Sequence, residues 1–338
     1  MKRLFAILLC LLLLAGCSQA PAEEPDDGRL KIVATVFPAY DFARSVAGDK
    51  ADVTMLLPPG MESHSYEPTP ADILAVQNCD LFIYLGGESD SWVDTILSAI
   101  EPAGEVLRMV DCVDLLEETH VEGMQMSPGH DHEGHDHGED EPCGEEAESN
   151  EEHDHGHGLG EVTGMDEHVW TSPKNAAEIT LAVARHMGHL DEANAAFYQE
   201  NAEAYAAEIL ALDREFEAFF AEREDRTVVF GDRFPLLYFA DCYDLDYYAA
   251  FPGCGTQTEP SAATIAFLTE KVRAEEIPTV WYIEFSNHLV ADSIAEATET
   301  GTAMFHTCHN VTKAEMDGGA TYLSLMEGNL QTLRENLR

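Results

Sequence analysis

The chain has 338 residues, long enough for two domains of ordinary size. Asp and Glu number 64 against 18 Lys and Arg, a formal net charge of −46, and fifteen histidines accompany the acid. This balance excludes nucleic acid as a partner, because phosphate binding needs concentrated Lys and Arg, and it excludes basic docking on an anionic membrane. A field of this sign draws cations, and acid with histidine is metal-binding chemistry.

Lys2 and Arg3 precede an apolar run from Leu4 to Leu14, about 11 residues and too short to span a bilayer. It reads as the apolar region of a secretory signal. The run ends in Leu14-Ala15-Gly16-Cys17, which looks like a bacterial lipobox: residues 1–16 form a lipoprotein signal peptide and Cys17 carries the lipid anchor outside the cytoplasmic membrane. A plain secretory signal with a chance cysteine is the alternative. Residues 17–28 are polar with Pro and Gly, a flexible tether.

The folded part begins at 29. Strands are predicted at 31–36, 52–57, 81–86 and 105–110, with helices at 39–47, 70–78 and 89–100 between them. Strands alternating with helices imply a parallel sheet. Residues 117–164 break the pattern: Gly, Glu, Asp and His with almost no aliphatic residues cannot bury a core and are expected to be disordered. Seven histidines fall between His130 and His157, in HDHEGHDH and HDHGH. Ordered chain resumes near Met165, and the N-terminal lobe runs to 190.

Over 191–225, Tyr198, Ala202, Tyr205, Ile209, Leu212, Phe216 and Phe219 recur at alternating steps of four and three, one stripe of a long helix that links two lobes. A coiled coil is the bland alternative. A second α/β set fills 226–338, with strands at 227–232, 246–251, 279–284 and 302–307 and helices at 235–242, 261–274, 289–299 and 319–336. The fold class is α/β: two lobes, each a mostly parallel sheet flanked by helices, joined by one long linking helix.

An exported chain permits disulfides. Cys79 and Cys112 flank strands of the first lobe, and Cys254 and Cys308 lie in the second; these two pairings are expected. No CxxC spacing is present, which argues against a thiolate zinc site.

In open α/β sheets ligands bind beyond the carboxyl ends of the strands. His64 lies in the loop after 52–57, His168 precedes a helix, Asp232 and Glu284 end strands, and His306 and His309 sit at or past the end of the last strand. For any one of them a solvated side chain is the alternative; their common placement is what makes them metal-ligand candidates. Two imidazoles with one or two carboxylates suit tetrahedral Zn²⁺, and the same set with added water could hold Mn²⁺. Asp166, Glu167 and Glu67 are candidates to orient the imidazoles.

The chain resembles the cluster A-I substrate-binding lipoproteins of zinc and manganese ABC transporters. The resemblance covers about residues 30–336 and rests on LLPPGMESHSYEPTPAD, DEHVWTSPKNA, the histidine-rich insert between them, the long helix and the closing TYLSLMEGNLQTL. It implies a two-lobed clamp with a rigid linking helix and one divalent metal in the cleft. It also implies a membrane permease and its ATPase as partners, a monomer, and no enzymatic activity. The family's first and second His match His64 and His168. Its third sits in a segment like HxAFGYFA, which here reads GDRFPLLYFA and lacks His: counting from the strand puts Asp232 there, and counting back from Tyr238 puts Arg233 there. The final carboxylate of zinc members matches Glu284, with His309 in reserve. The histidine-rich insert favours zinc and reads as a scavenging or sensing loop. Competing readings are a manganese-binding member, a zinc-holding surface adhesin or store, and a zinc hydrolase. For the last, no HExxH or GxSxG is present.

Overall fold

The computed structural model describes residues 28–63, 66–100, 103–124, 164–253 and 259–338. His64, Cys17, Cys143, Cys254 and the histidine-rich stretch therefore lie outside the described residues.

The first sheet holds β1 (Leu30–Ala34), β2 (Ala51–Met55), β3 (Leu81–Tyr84) and β4 (Glu105–Arg108), all parallel and in the order β2-β1-β3-β4. Leu81, Phe82, Ile83 and Tyr84 are all buried, as expected of a parallel strand covered on both faces. The covers are helices α1 (Phe37–Ala47), α2 (Pro70–Asn78), α3 (Ser91–Ala99) and α4 (Pro173–Leu190). Pro70 and Pro173 sit at helix starts, where a missing N–H costs nothing. The Thr69 and Ser172 hydroxyls ahead of them accept from the N–H groups of Asp72 and Asn175.

The second sheet repeats the plan. Strands β5 (Thr227–Phe234), β6 (Asp246–Pro252), β7 (Thr279–Ile283) and β8 (Gly301–Phe305) run parallel in the order β6-β5-β7-β8. Around them lie α6 (Leu237–Tyr243), α7 (Ala262–Ala274), α8 (Leu289–Thr298), the short α9 (Lys313–Asp317) and α10 (Tyr322–Asn336). In both sheets the strand order reverses between the first and third strands, so each lobe has one switch point, at β1/β3 and at β5/β7.

Between the sheets runs α5 (Ala195–Ala221), 27 residues and so about 40 Å long at 1.5 Å per residue. It packs on α1 and α4 of the first lobe and on α6 and α10 of the second. Six of the seven stripe residues are buried, and Tyr205 is half-buried because its hydroxyl reaches buried Asp41. From the sequence, α4 is expected only as a helix of unstated length after His168, and the short α9 is not expected.

The expected disulfides are corrected. Cys79, Cys112 and Cys308 are free thiols: Cys79 Sγ donates to the Val76 carbonyl and Cys112 Sγ contacts the Arg108 carbonyl. Burial pushes the Cys79 and Cys112 thiols up to about 11, so they behave as small apolar side chains. Part of the segment expected to lack structure is placed. Glu117 and Met165 form an antiparallel bridge, and Glu118 N–H donates to the Gly164 carbonyl. Gly123 lies so close on Phe267 that a Cβ there would fall 2.1 Å from the ring.

Candidate metal centre

A cavity of about 40 Å³ opens between the lobes. Its wall includes Glu62 and Ser63 from the loop after β2, His168 from the segment before α4, and Arg233, Gly253, Glu284, Thr307, His309 and Asn310 from the second lobe. That space admits an ion or a few water molecules. It lies off the carboxyl ends of β5 and β7, at the second sheet's switch point.

His168 is 1% exposed. Its backbone N–H donates to Asp166 Oδ1 at 2.8 Å, and its Nδ1 stands 3.2 Å from the same oxygen. A proton on Nδ1 shared with that carboxylate leaves Nε2 for an ion, the arrangement that orients metal-binding imidazoles. Burial opposes charge on this ring, yet the Asp166 carboxylate, helped by Glu167 and Glu118, outweighs it and raises the pKa above the ordinary value. Asp166 is held in turn by the second lobe: its carbonyl accepts from Tyr238 Oη at 2.7 Å, and that oxygen accepts from Leu116 N–H at 3.1 Å.

His309 faces His168 with ring centroids 5.8 Å apart at 72°. Two imidazoles on one tetrahedral ion, with nitrogens at about 2.0–2.1 Å, have centroids roughly 5 Å apart, so a small approach completes a shared geometry. Trp170 packs against both rings, at 5.4 and 5.2 Å. Its indole N–H donates to the Thr307 carbonyl at 2.8 Å, tying the His168 segment to the loop after β8. The N–H of Phe37, first in α1, donates to the His309 carbonyl at 3.2 Å.

Glu284 directly follows β7. Both of its oxygens accept from Thr307, Oε2 from the backbone N–H at 2.7 Å and Oε1 from the hydroxyl. The carboxylate is thus fixed in orientation while still lining the cavity.

Asp232 is not brought to this cavity. Between Phe230 and Arg233 the register of β5 on β6 shifts, and such an irregularity changes which residues face which side. Asp232 Oδ1 accepts from Arg233 N–H at 2.8 Å and Oδ2 lies 3.4 Å from Ile283 N, so the carboxylate ties β5 to β7. Arg233 takes the wall position instead and pairs with Glu62 at 2.9 Å. His306 is also turned inward: its Nδ1 accepts from Cys308 N–H, and its backbone N–H and carbonyl pair with the Asn329 amide. Of the three carboxylates proposed to orient imidazoles, Asp166 does so. Glu167 turns to Ser89 N–H, and Glu67 is exposed. Among the described residues no three His, Cys, Asp or Glu side chains close on a single point. His64 follows Ser63 of the wall directly in sequence.

Two lobes of like topology, a long helix across both and a small cavity between them make a two-lobed clamp. Residues 32–336 match the family model described as zinc-uptake complex component A, periplasmic, and the chain belongs to that family. It is 29% identical over 341 residues to the high-affinity zinc uptake system protein ZnuA of Bacillus subtilis, covering 99% of this chain and 97% of that one. It is 28% identical over 337 residues to the zinc-binding lipoprotein AdcA of Streptococcus pneumoniae, spanning 99% of this chain but 61% of that protein's length. Among solved structures, the Zn(II)-bound ZnuA-like domain of the pneumococcal AdcA superposes with a TM-score of 0.69 at 24% identity, over 91% of this chain and 99% of that one. The lipoprotein YcdH of Bacillus subtilis gives 0.71 at 24%, over 92% and 100%. These likenesses show the fold.

Proposed function

We propose that this chain captures Zn²⁺ in the inter-lobe cavity and delivers it to the permease of an ABC importer, tethered outside the membrane by lipid on Cys17 and acting as a monomer. The observation that carries the reading is that His168, Glu284 and His309, three zinc-type donors far apart in sequence, line one ion-sized cavity. His64 supplies the fourth ligand, and His309 takes the place for which the sequence offered Asp232. A tetrahedral set of three imidazoles and one carboxylate favours Zn²⁺ over Mn²⁺ in both geometry and affinity order. The relatives named for zinc uptake and zinc binding support the same cargo. The same relatives support binding rather than catalysis as the role of this chain.

The histidine-rich stretch, with imidazoles and carboxylates at every second residue, collects zinc weakly and passes it to the cavity. The test is zinc affinity by chelator competition in a chain lacking residues 125–163, which spares the placed segment before it. His168→Ala and His309→Ala should each weaken binding by about 100-fold or more, since each removes one of four donors. Asp232→Asn should stay within about threefold, as a residue outside the coordination shell does. Equal losses for Asp232→Asn and His309→Ala would overturn the ligand assignment.

A further inference from the structure

The cavity wall contains a permanent cation, an odd component for a cation site. Arg233 lies on the second lobe with its side chain only 12% exposed, and its guanidinium meets Glu62 of the first lobe at 2.9 Å, that side chain being 38% exposed. Both residues line the cavity. The pair therefore joins the two lobes within the cavity wall. The loop that carries Glu62 has a second attachment to the same lobe. Asn310 Nδ2 donates to the carbonyls of Pro58 and Met61, both at 2.8 Å, and Gly60 N–H donates to the Val311 carbonyl at 2.8 Å. Those ties are neutral and hold the loop as far as Met61. The ion pair adds a charged tie at the next residue, immediately before Ser63.

We infer that Glu62 and Arg233 are positioning residues for the cargo ion: the pair latches the loop after β2 across the cavity, and Glu62 neutralises a guanidinium that would otherwise repel the cation. This rests on the reading of the cavity as a divalent-cation site. The two halves of the pair then act unequally. Loss of either charge opens the latch. Loss of Glu62 also leaves an uncompensated positive charge beside the ion, whereas loss of Arg233 leaves a carboxylate there, which attracts it. A purely structural contact has no such asymmetry. The pair is partly exposed and so screened by salt, while the amide ties of Asn310 are not.

The test uses the full chain and its tryptophan emission, to which Trp170 contributes with its ring packed against His168 and His309. Zn²⁺ binding and release into excess chelator are followed by stopped flow. Glu62→Gln should release zinc about tenfold faster and bind it more slowly; Arg233→Gln should release it about threefold faster with association unchanged or faster. Raising salt from about 0.05 to about 0.5 M should speed release from the wild type and not from Arg233→Gln. The double exchange Glu62→Arg with Arg233→Glu should bring release back to within about threefold of wild type. Melting curves of the zinc-free variants identify any that fail to fold, and the exchange variant then carries the comparison. The latch is overturned if both single variants release zinc within about twofold of wild type, or if both change association equally. A wild-type chain with no saturable one-to-one zinc signal overturns the cation-site reading itself, and the latch with it.

Discussion

Asp166→Asn separates two effects of one buried carboxylate. Asp166 and His168 are 2% and 1% exposed, and one oxygen of Asp166 accepts the His168 backbone N–H while standing 3.2 Å from its ring nitrogen. The amide keeps the shape and an acceptor oxygen but removes the charge. Loss of a carboxylate behind a metal-binding imidazole costs roughly 10- to 100-fold in affinity, about 1.4–2.8 kcal/mol. The same carboxylate also raises the proton affinity of His168 against its burial. With zinc on this ring as proposed, protons should compete for it over a higher pH range than for an ordinary imidazole, each unit of acidification within that range costing up to about tenfold. Without Asp166 burial dominates, the ring's pKa falls, and proton competition sets in at lower pH. The variant should bind zinc 10- to 100-fold more weakly near pH 8, with the gap narrowing toward about pH 5.5. Chelator competition across that range, in the chain lacking residues 125–163, reads both. A gap constant with pH would refute the charge argument, and no gap near pH 8 would refute the orienting role.

Three further outcomes follow from particular contacts. Burial first, and the Glu167 charge second, push buried Asp90 up to about 7. Its neutral form is favoured on folding, so its contribution is complete below about pH 4 and is lost as pH rises through 7, a cost near 4 kcal/mol by about pH 8. Asp90→Asn should raise stability to urea at about pH 8 by up to that amount and do little near pH 4; equal effects at both would contradict the buried charge. A Cβ on Gly253 would meet the Phe234 carbonyl and Pro235 Cα at 3.0 Å and Asp166 Oδ2 at 3.4 Å. Gly253→Val should therefore crowd the backbone at Phe234 and Pro235 and cost about 1–3 kcal/mol in urea unfolding, and an unchanged stability would refute that crowding. Phe216 is fully buried on α5 and meets Phe239 edge-on at 5.2 Å. Phe216→Ala should lose about 3–5 kcal/mol in urea unfolding, and a loss under about 1 kcal/mol would mean that α5 is not packed into the second lobe as described.

The elements were legible because their signals are local. The β-branched and aromatic runs give all eight strands to within a few residues. The alternating steps of four and three in Tyr198–Phe219 give α5, since one buried stripe suffices to fix a helix. Pairing between distant groups was not legible. Cys79 and Cys112 sit at the ends of neighbouring elements, but the burial of each thiol is settled by packing that no spacing encodes. The ligand site shows the same division at single-residue scale. GDRFPLLYFA offers Asp232 or Arg233 for one wall position, and the choice depends on whether β5 keeps strict alternation. The register shift after Phe230 breaks it and sends Asp232 to the backbone of β7 and Arg233 to the cleft. The proposed ligand set takes from His309 the imidazole that this segment lacks. The loop after β8, pinned by Trp170 and by the first N–H of α1, brings His309 opposite His168. If both positions serve one ion, as proposed, an imidazole at either should suffice. Restoring an imidazole by Arg233→His in a His309→Ala background should recover at least about tenfold of the lost zinc affinity, the usual worth of one well-placed ligand or its support. No recovery would mean that the two positions do not serve the same ion.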